Sequence, residues 1–221
     1  MNYFQVLFWP GGGVIGLLLW LISIATVAIM VEHCRAVRRR NILPDGLGGR
    51  LARLFETGQY RRALDLTARD ASFLAHVTHA ALSDAPHGYP AMERAMEEAA
   101  EQRTTHLLRH IEWLNLIGNI TPMLGLLGTV WGMLNAFLKI RSIAEAGAQV
   151  DAGKLAGAIG IALVTTLLGL AIAIPALAIY SMLRNRIDAL TSEAMVVSQQ
   201  LLASFREPTV VDAEIPVAQE S

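Results

Sequence analysis

WLNLIGNITPMLGLLGTVWGMLNAF, running from Trp113 to Phe137 between Glu112 and Lys139, contains no Asp, Glu, Lys, Arg or His. It exceeds the roughly 20 apolar residues that a helix needs to cross a bilayer. A second run with the same property extends from Leu155 to Leu183, bounded by Lys154 and Arg184. A third, VIGLLLWLISIATVAIMV from Val14 to Val31, lies within an N-terminal stretch that is uncharged as far as Val31. The pattern predicts an all-α membrane protein with three spans.

Composition agrees, because 53% of the 221 residues are hydrophobic, too many for an ordinary soluble domain of this length. Lys and Arg (18) nearly balance Asp and Glu (19), so the chain has no global basic field that would attract nucleic acid. Of those 18 basic residues, 12 fall between Glu32 and His110, and HCRAVRRR follows the first span directly. By the positive-inside rule the long connection is cytoplasmic and the N-terminus lies on the opposite, periplasmic side. Basic residues follow the first apolar run instead of preceding it, which reads as an uncleaved anchor and not a signal peptide. Phe4, Phe8 and Trp9 would anchor its entry at the interface.

Between the spans the pattern turns soluble and helical. GRLARLFETG, QYRRALDLTARD and SFLAHVTHAALSDA place apolar residues three and four apart, punctuated by Gly58, Asp70 and Pro86. Met92, Met96, Ala99, Leu107, Ile111 and Leu114 hold one helical face into the second span without a breaker. Ile187, Leu190, Ala194, Val197, Leu201 and Phe205 extend the third span in the same way as far as Pro208. The expected organisation is a periplasmic N-terminus (1–13), a first span (14–31) and a cytoplasmic helical domain (32–112). A second span (113–138), a periplasmic loop (139–154) and a third span (155–183) follow. A cytoplasmic helix (184–207) and a disordered acidic tail (208–221) complete it.

Small and polar residues form stripes on two spans. Asn115, Gly118, Pro122, Gly125, Thr129, Gly132 and Ala136 recur at intervals of three and four in the second span. Ala162, Thr166, Gly169, Ala173 and Ala176 do so in the third, with Pro175 inside the run. Such stripes serve close helix packing or line a pore, and Gly128 belongs with the packing candidates. A proton relay normally includes an ionisable group within the membrane, and none of the three spans has one. Either the chain does not conduct, or a partner supplies the carboxylate.

IGNITPMLGLLGTVWGMLNAF (Ile117 to Phe137) and ALVTTLLGLAIAIPALAIY (Ala162 to Tyr180) resemble the second- and third-span signatures of the MotA/TolQ/ExbB proton-channel family. The ExbB branch is the nearer, with TolQ next. Span order, the large cytoplasmic connection, the short loop at 139–154 and the helical C-terminus resemble that family too. The resemblance implies a homo-oligomer, usually a pentameric ring, whose second and third spans surround a dimer of single-span partners similar to ExbD or TolR. A membrane aspartate of the partner would take and release the proton, and a TonB-like or Tol-like effector would receive the work. Thr129 and Thr166 match the family's pore threonines. Many relatives carry a glutamate five residues before the second of these, where this chain has Ile161. That departure leaves sodium as an alternative ion, with Thr165 as an extra oxygen donor. A different class of reading is a non-conducting membrane scaffold.

Other candidates carry less. His106 with His110, and His76 with His79, have metal-ligand spacing, but no Cys or well-placed carboxylate completes a site, so no metal and no cofactor are expected. The lone Cys34 reads as a juxtamembrane thiol, and Lys139 and Arg141 as interfacial anchors. No phosphate loop, nucleophile motif or catalytic carboxylate pair appears, so the chain is not expected to be an enzyme. The topology is tested by cysteines placed singly at Ser83 and Ala148 in a Cys34→Ser parent. In intact spheroplasts an impermeant reagent should label the second and spare the first; equal labelling would overturn the orientation.

Overall fold

The computed structural model describes residues 13–147, 149 and 151–206. Within these residues all regular structure is helical. The helices are α1 (Gly13–Ala36), α2 (Arg39–Ile42), α3 (Leu47–Glu56), α4 (Tyr60–Arg69), α5 (Phe73–Ser83), α6 (Tyr89–Glu145) and α7 (Ala152–Leu202), with 3₁₀ turns at Ala85–His87 and Ala203–Phe205. Helices α1, α6 and α7 are each long and apolar enough to span a membrane, in keeping with the three-span, all-α expectation. The readings placed on Phe4, Phe8, Trp9 and the tail from Pro208 lie outside the described residues. The chain divides into two units, one built on α1 and Leu108–Asn185, the other on Val37–Leu107 and the stretch from Arg186 onward.

In the first unit α1 turns Leu19 and Thr26 inward, both essentially without exposure. The buried Thr26 hydroxyl donates to the Ile22 carbonyl at 2.6 Å, so a polar group is satisfied inside its own helix. Leu17, Leu21, Ile24, Val27 and Val31 stay exposed on α1, as do Trp113, Leu116, Ile120, Leu127, Trp131 and Leu134 on α6. Apolar faces this extensive suit hydrocarbon and not water. Helix α6 continues past the expected end of the second span to Glu145, and an Arg141–Glu145 ion pair at 2.8 Å supports its last turn.

The second unit has its own core. Leu47, Leu51 and Phe55 form the buried face of α3, Phe73, Leu74, Val77 and Ala81 that of α5. Met92 and Met96 from α6 and Ile187 and Ala194 from α7 are also buried. The three breakers act as expected. Gly58 takes a left-handed φ of +69° just after α3. Asp70 ends α4 in an extended conformation and accepts from the Ser72 N–H at 2.8 Å, while Ser72 caps α5 by accepting from Ala75 N–H. Pro86 sits in the 3₁₀ turn. Arg39 grips Glu193 through two hydrogen bonds, of 2.9 and 2.6 Å, tying α2 to α7, and this carboxylate raises the guanidinium pKa further.

Among the histidines, His79 Nδ1 pairs with the Thr67 hydroxyl at 3.0 Å. Burial, then Arg103 and His79, lower the pKa of His76. Its folded form binds protons less readily than the unfolded chain, so its contribution to stability is present above the ordinary histidine range and lost as pH falls below it. Phe73 is 1% exposed in the middle of this unit. Phe73→Ala should cost about 3–5 kcal/mol in thermal or denaturant unfolding, whereas Arg61→Ala on the exposed face of α4 should stay within about 0.5 kcal/mol.

Candidate functional site

The two small-residue stripes meet each other within one chain, α6 against α7. At the closest point Gly125 faces Gly169. A β-carbon on Gly169 would stand 2.8 Å from the Thr121 carbonyl oxygen and 3.2 Å from the Gly125 Cα. One on Gly125 would stand 2.9 Å from the Thr165 carbonyl oxygen. Further along the seam, a β-carbon on Gly128 would meet the Thr165 hydroxyl at 2.6 Å, and one on Gly132 the Ala162 β-carbon at 2.9 Å. All four expected packing glycines thus lie where α6 and α7 touch. Pro122 is half-buried on α6, and Pro175 lies beside Leu19, Thr26 and Met30 of α1 around a cavity of about 260 Å³.

This contact gathers three hydroxyls at one carbonyl. Thr129 Oγ1 and Thr166 Oγ1 each lie 3.1 Å from the Gly125 carbonyl oxygen, and Thr165 Oγ1 lies 3.2 Å from it. Thr129 and Thr166 also contact each other directly. Each hydroxyl has one proton to give. Thr165, 2% exposed, has a nearer acceptor in the Ala162 carbonyl at 2.7 Å. Within the remaining pair one hydroxyl donates to the other, and the receiver donates to Gly125. Two arrangements satisfy this, Thr129 to Thr166 to carbonyl, or Thr166 to Thr129 to carbonyl. Thr129 is 7% exposed and Thr166 half-buried, so the pair sits at the edge of the seam. It can exchange hydrogen bonds with a neighbour, but hydroxyls do not titrate near neutral pH and cannot hold a proton themselves.

Ile161 is half-buried and lines a separate cavity of about 290 Å³ together with Trp131, Gly132, Asn135, Lys139 and Ala162. In the sequence Lys139 reads as an interfacial anchor and Asn135 carries no signal, since neither belongs to a small-residue stripe. The Gly125 carbonyl is likewise not legible there, because a backbone acceptor leaves no residue signature. Glu112, Asn115 and Asn119 are linked by side-chain hydrogen bonds of 2.7 and 2.9 Å at the other end of the apolar run of α6. Their spacing of three and four was the available signal.

Residues 67–195 match the MotA/TolQ/ExbB proton channel family. The chain is 41% identical over 85 residues to the biopolymer transport protein ExbB of Xanthomonas campestris pv. campestris, covering 38% of this chain and 32% of that protein. It is 33% identical over 100 residues to the Tol-Pal system protein TolQ of Haemophilus influenzae, covering 45% and 42%. ExbB of Neisseria gonorrhoeae is 39% identical over 85 residues, covering 38% and 37%. Each match therefore spans less than half the length of the curated relative.

The glycine contacts make a selective prediction. Gly125→Ala or Gly169→Ala forces a methyl into backbone and should lower stability by about 1–3 kcal/mol. A β-carbon on Gly160, also on α7, meets open space. Gly160→Ala should therefore be neutral or mildly stabilising in thermal unfolding of the detergent-solubilised protein. Equal effects at Gly160 and Gly169 would show that the seam does not depend on close approach.

Proposed function

The chain belongs to the MotA/TolQ/ExbB proton channel family, and from that premise we propose that it is the ring subunit of an ion-driven motor in a bacterial inner membrane. Driven by the proton motive force, the ring works through a single-span partner similar to ExbD or TolR and energises outer-membrane transport. A ring of five copies, with the 33–110 region cytoplasmic, is the assembly this reading carries. The supporting observation is the convergence of Thr129, Thr165 and Thr166 on the Gly125 carbonyl, in the two spans that bear the family's signatures.

The division of labour follows from what the spans contain. Hydroxyls and a carbonyl orient hydrogen bonds; the partner's membrane carboxylate supplies the titratable group. Thr129 and Thr166 stand beside the ion path, and Thr165, bonded inward to Ala162, braces the seam. Ile161 stands where many relatives carry a third-span carboxylate, so protonation inside the charge-free spans rests with the partner. The TolQ relative supports a second reading within the same mechanism, a motor serving envelope integrity.

The chain reconstituted alone in liposomes should be ion-tight. With the partner it should pass protons, and changing the partner's membrane Asp to Asn should abolish the flux, because an amide hydrogen-bonds but does not titrate. Thr129→Val with Thr166→Val should reduce flux while the mass of the assembly stays unchanged. Ile161→Glu should assemble, since its side chain enters a cavity shared with Asn135 and Lys139. Conduction by the chain alone at the rate of the complex would overturn the division of labour, and no conduction by either would mark a scaffold.

A further inference from the structure

Where the apolar run of α6 begins, five side chains form a hydrogen-bonded string. Asn119 Nδ2 donates to Asn115 Oδ1 at 2.9 Å and to the Asn115 carbonyl at 2.8 Å. Asn115 Nδ2 donates to Glu112 Oε1 at 2.7 Å. From α7 the Tyr180 hydroxyl donates to Glu112 Oε2 at 3.3 Å, and Arg184 Nη1 reaches the Tyr180 oxygen at 3.5 Å. Both carboxylate oxygens are thus held, one from each helix.

The string runs along the border of the apolar face, with Glu112 one turn before Leu116 and Asn115 and Asn119 turned further from it. Successive helical residues are about 100° apart, so Asn119 and Ile120 point to different sides of α6. Trp113, Leu116 and Ile120 are 61%, 45% and 42% exposed and form an edge suited to hydrocarbon. Glu112 and Asn119 are also exposed, but an amide and a carboxylate facing lipid would cost far more than they do facing water or protein. The apolar edge therefore faces lipid and the polar edge faces water or protein. That polar edge borders α7, as does Thr129, which is ten positions and about 15 Å of helix rise beyond Asn119.

We propose that Glu112 is the proton-handling carboxylate at the aqueous mouth of the ion path, with Asn115 and Tyr180 as positioning residues. A proton released by the partner's carboxylic acid beside the threonine seam passes to water, leaving a carboxylate, and travels on as hydronium. It forms an O–H bond with the Glu112 carboxylate and leaves a neutral water behind. The acid then gives the same proton to bulk water and returns to carboxylate, so nothing else is consumed. Tyr180 and Arg184 from α7, with Asn115 from α6, are the groups that hold Glu112 in place. This inference rests on the proton-conducting reading above and adds a second titratable station, on this chain itself.

The test uses the complex of this chain with its single-span partner in proteoliposomes, with proton flux read by a pH dye. Glu112→Gln keeps an acceptor for Asn115 and offers Tyr180 an amide donor in place of an acceptor, but cannot titrate. Flux should fall about tenfold or more, the scale expected when one acid–base group is lost, and millimolar imidazole should restore it as a mobile substitute. Tyr180→Phe, which keeps the carboxylate, should lose less and gain little from imidazole. In a Cys34→Ser background, Asn119→Cys should react with a water-soluble thiosulfonate and Ile120→Cys should not. Wild-type flux in Glu112→Gln, a loss that imidazole does not restore, or equal reactivity at 119 and 120 would overturn the proposal. A wild-type complex that passes no protons would overturn the function reading with it, whereas a conducting wild type beside an equally conducting Glu112→Gln overturns this inference alone.

Discussion

Backbone contact between Gly125 and Gly169 is the constraint on which the seam depends. In lipid there is no hydrophobic gain from bringing two apolar helices together, because the tails solvate a leucine as well as another helix does. Close packing and a few hydrogen bonds must hold the pair instead. A β-carbon at either glycine would fall within 2.8–2.9 Å of a carbonyl oxygen of the facing helix, and relief requires the helices to part. Parting by even half an ångström would carry the 3.1 and 3.2 Å contacts of Thr166 and Thr165 with the Gly125 carbonyl beyond good hydrogen-bond length. The polar chemistry of the seam thus follows from side chains that are missing.

The same helices carry three kinds of surface, and solvent decides what each does. Against α7, α6 presents Gly118, Gly125, Gly128 and Gly132, where size is the controlling property. Trp113, Leu116, Ile120, Leu127, Trp131 and Leu134 give α6 an apolar edge that stays largely exposed among the described residues, which hydrocarbon can cover without cost. Asn115 and Asn119 interrupt that pattern. Hydrogen bonds to each other and to Glu112 lower the cost of their position without removing it, because the Asn119 amide remains exposed.

Much of this was legible in the sequence, for identifiable reasons. The spans were readable because charge is forbidden over a bilayer's thickness, and Gly58, Asp70 and Pro86 because each has a local backbone effect that needs no tertiary contact. Thr129 and Thr166 emerged from the family resemblance, and the structure sets their hydroxyls together. Periodicity could not tell whether the stripes meet within a chain or between chains, since a glycine stripe looks the same in both. Nor could it find the end of α6 at Glu145, because the Arg141–Glu145 pair that supports the last turn lies in a charged stretch outside the span. The Glu112 string was missed because Glu112 reads as the boundary of a span, and its link to Tyr180 joins residues far apart in sequence.

Under the proposed function a neutral hydroxyl pair stands beside the path of the proton, and its symmetry bears on that place. Thr129 and Thr166 are joined to each other and each lies 3.1 Å from the same carbonyl, so their chain of hydrogen bonds can run in either direction without moving the backbone. Reversal moves the additional free lone pair from one oxygen to the other. A neighbouring carboxylic acid needs an acceptor when it is protonated and a donor when it is not. An amide in the same place has its donor and acceptor ends fixed, and a buried carboxylate or ammonium would impose a charge of its own. In either arrangement the pair offers lone pairs to a protonated neighbour, and only by releasing the Gly125 carbonyl does one hydroxyl become free to donate to a carboxylate; under the proposed function that exchange lets a neutral seam orient a proton carried by another group.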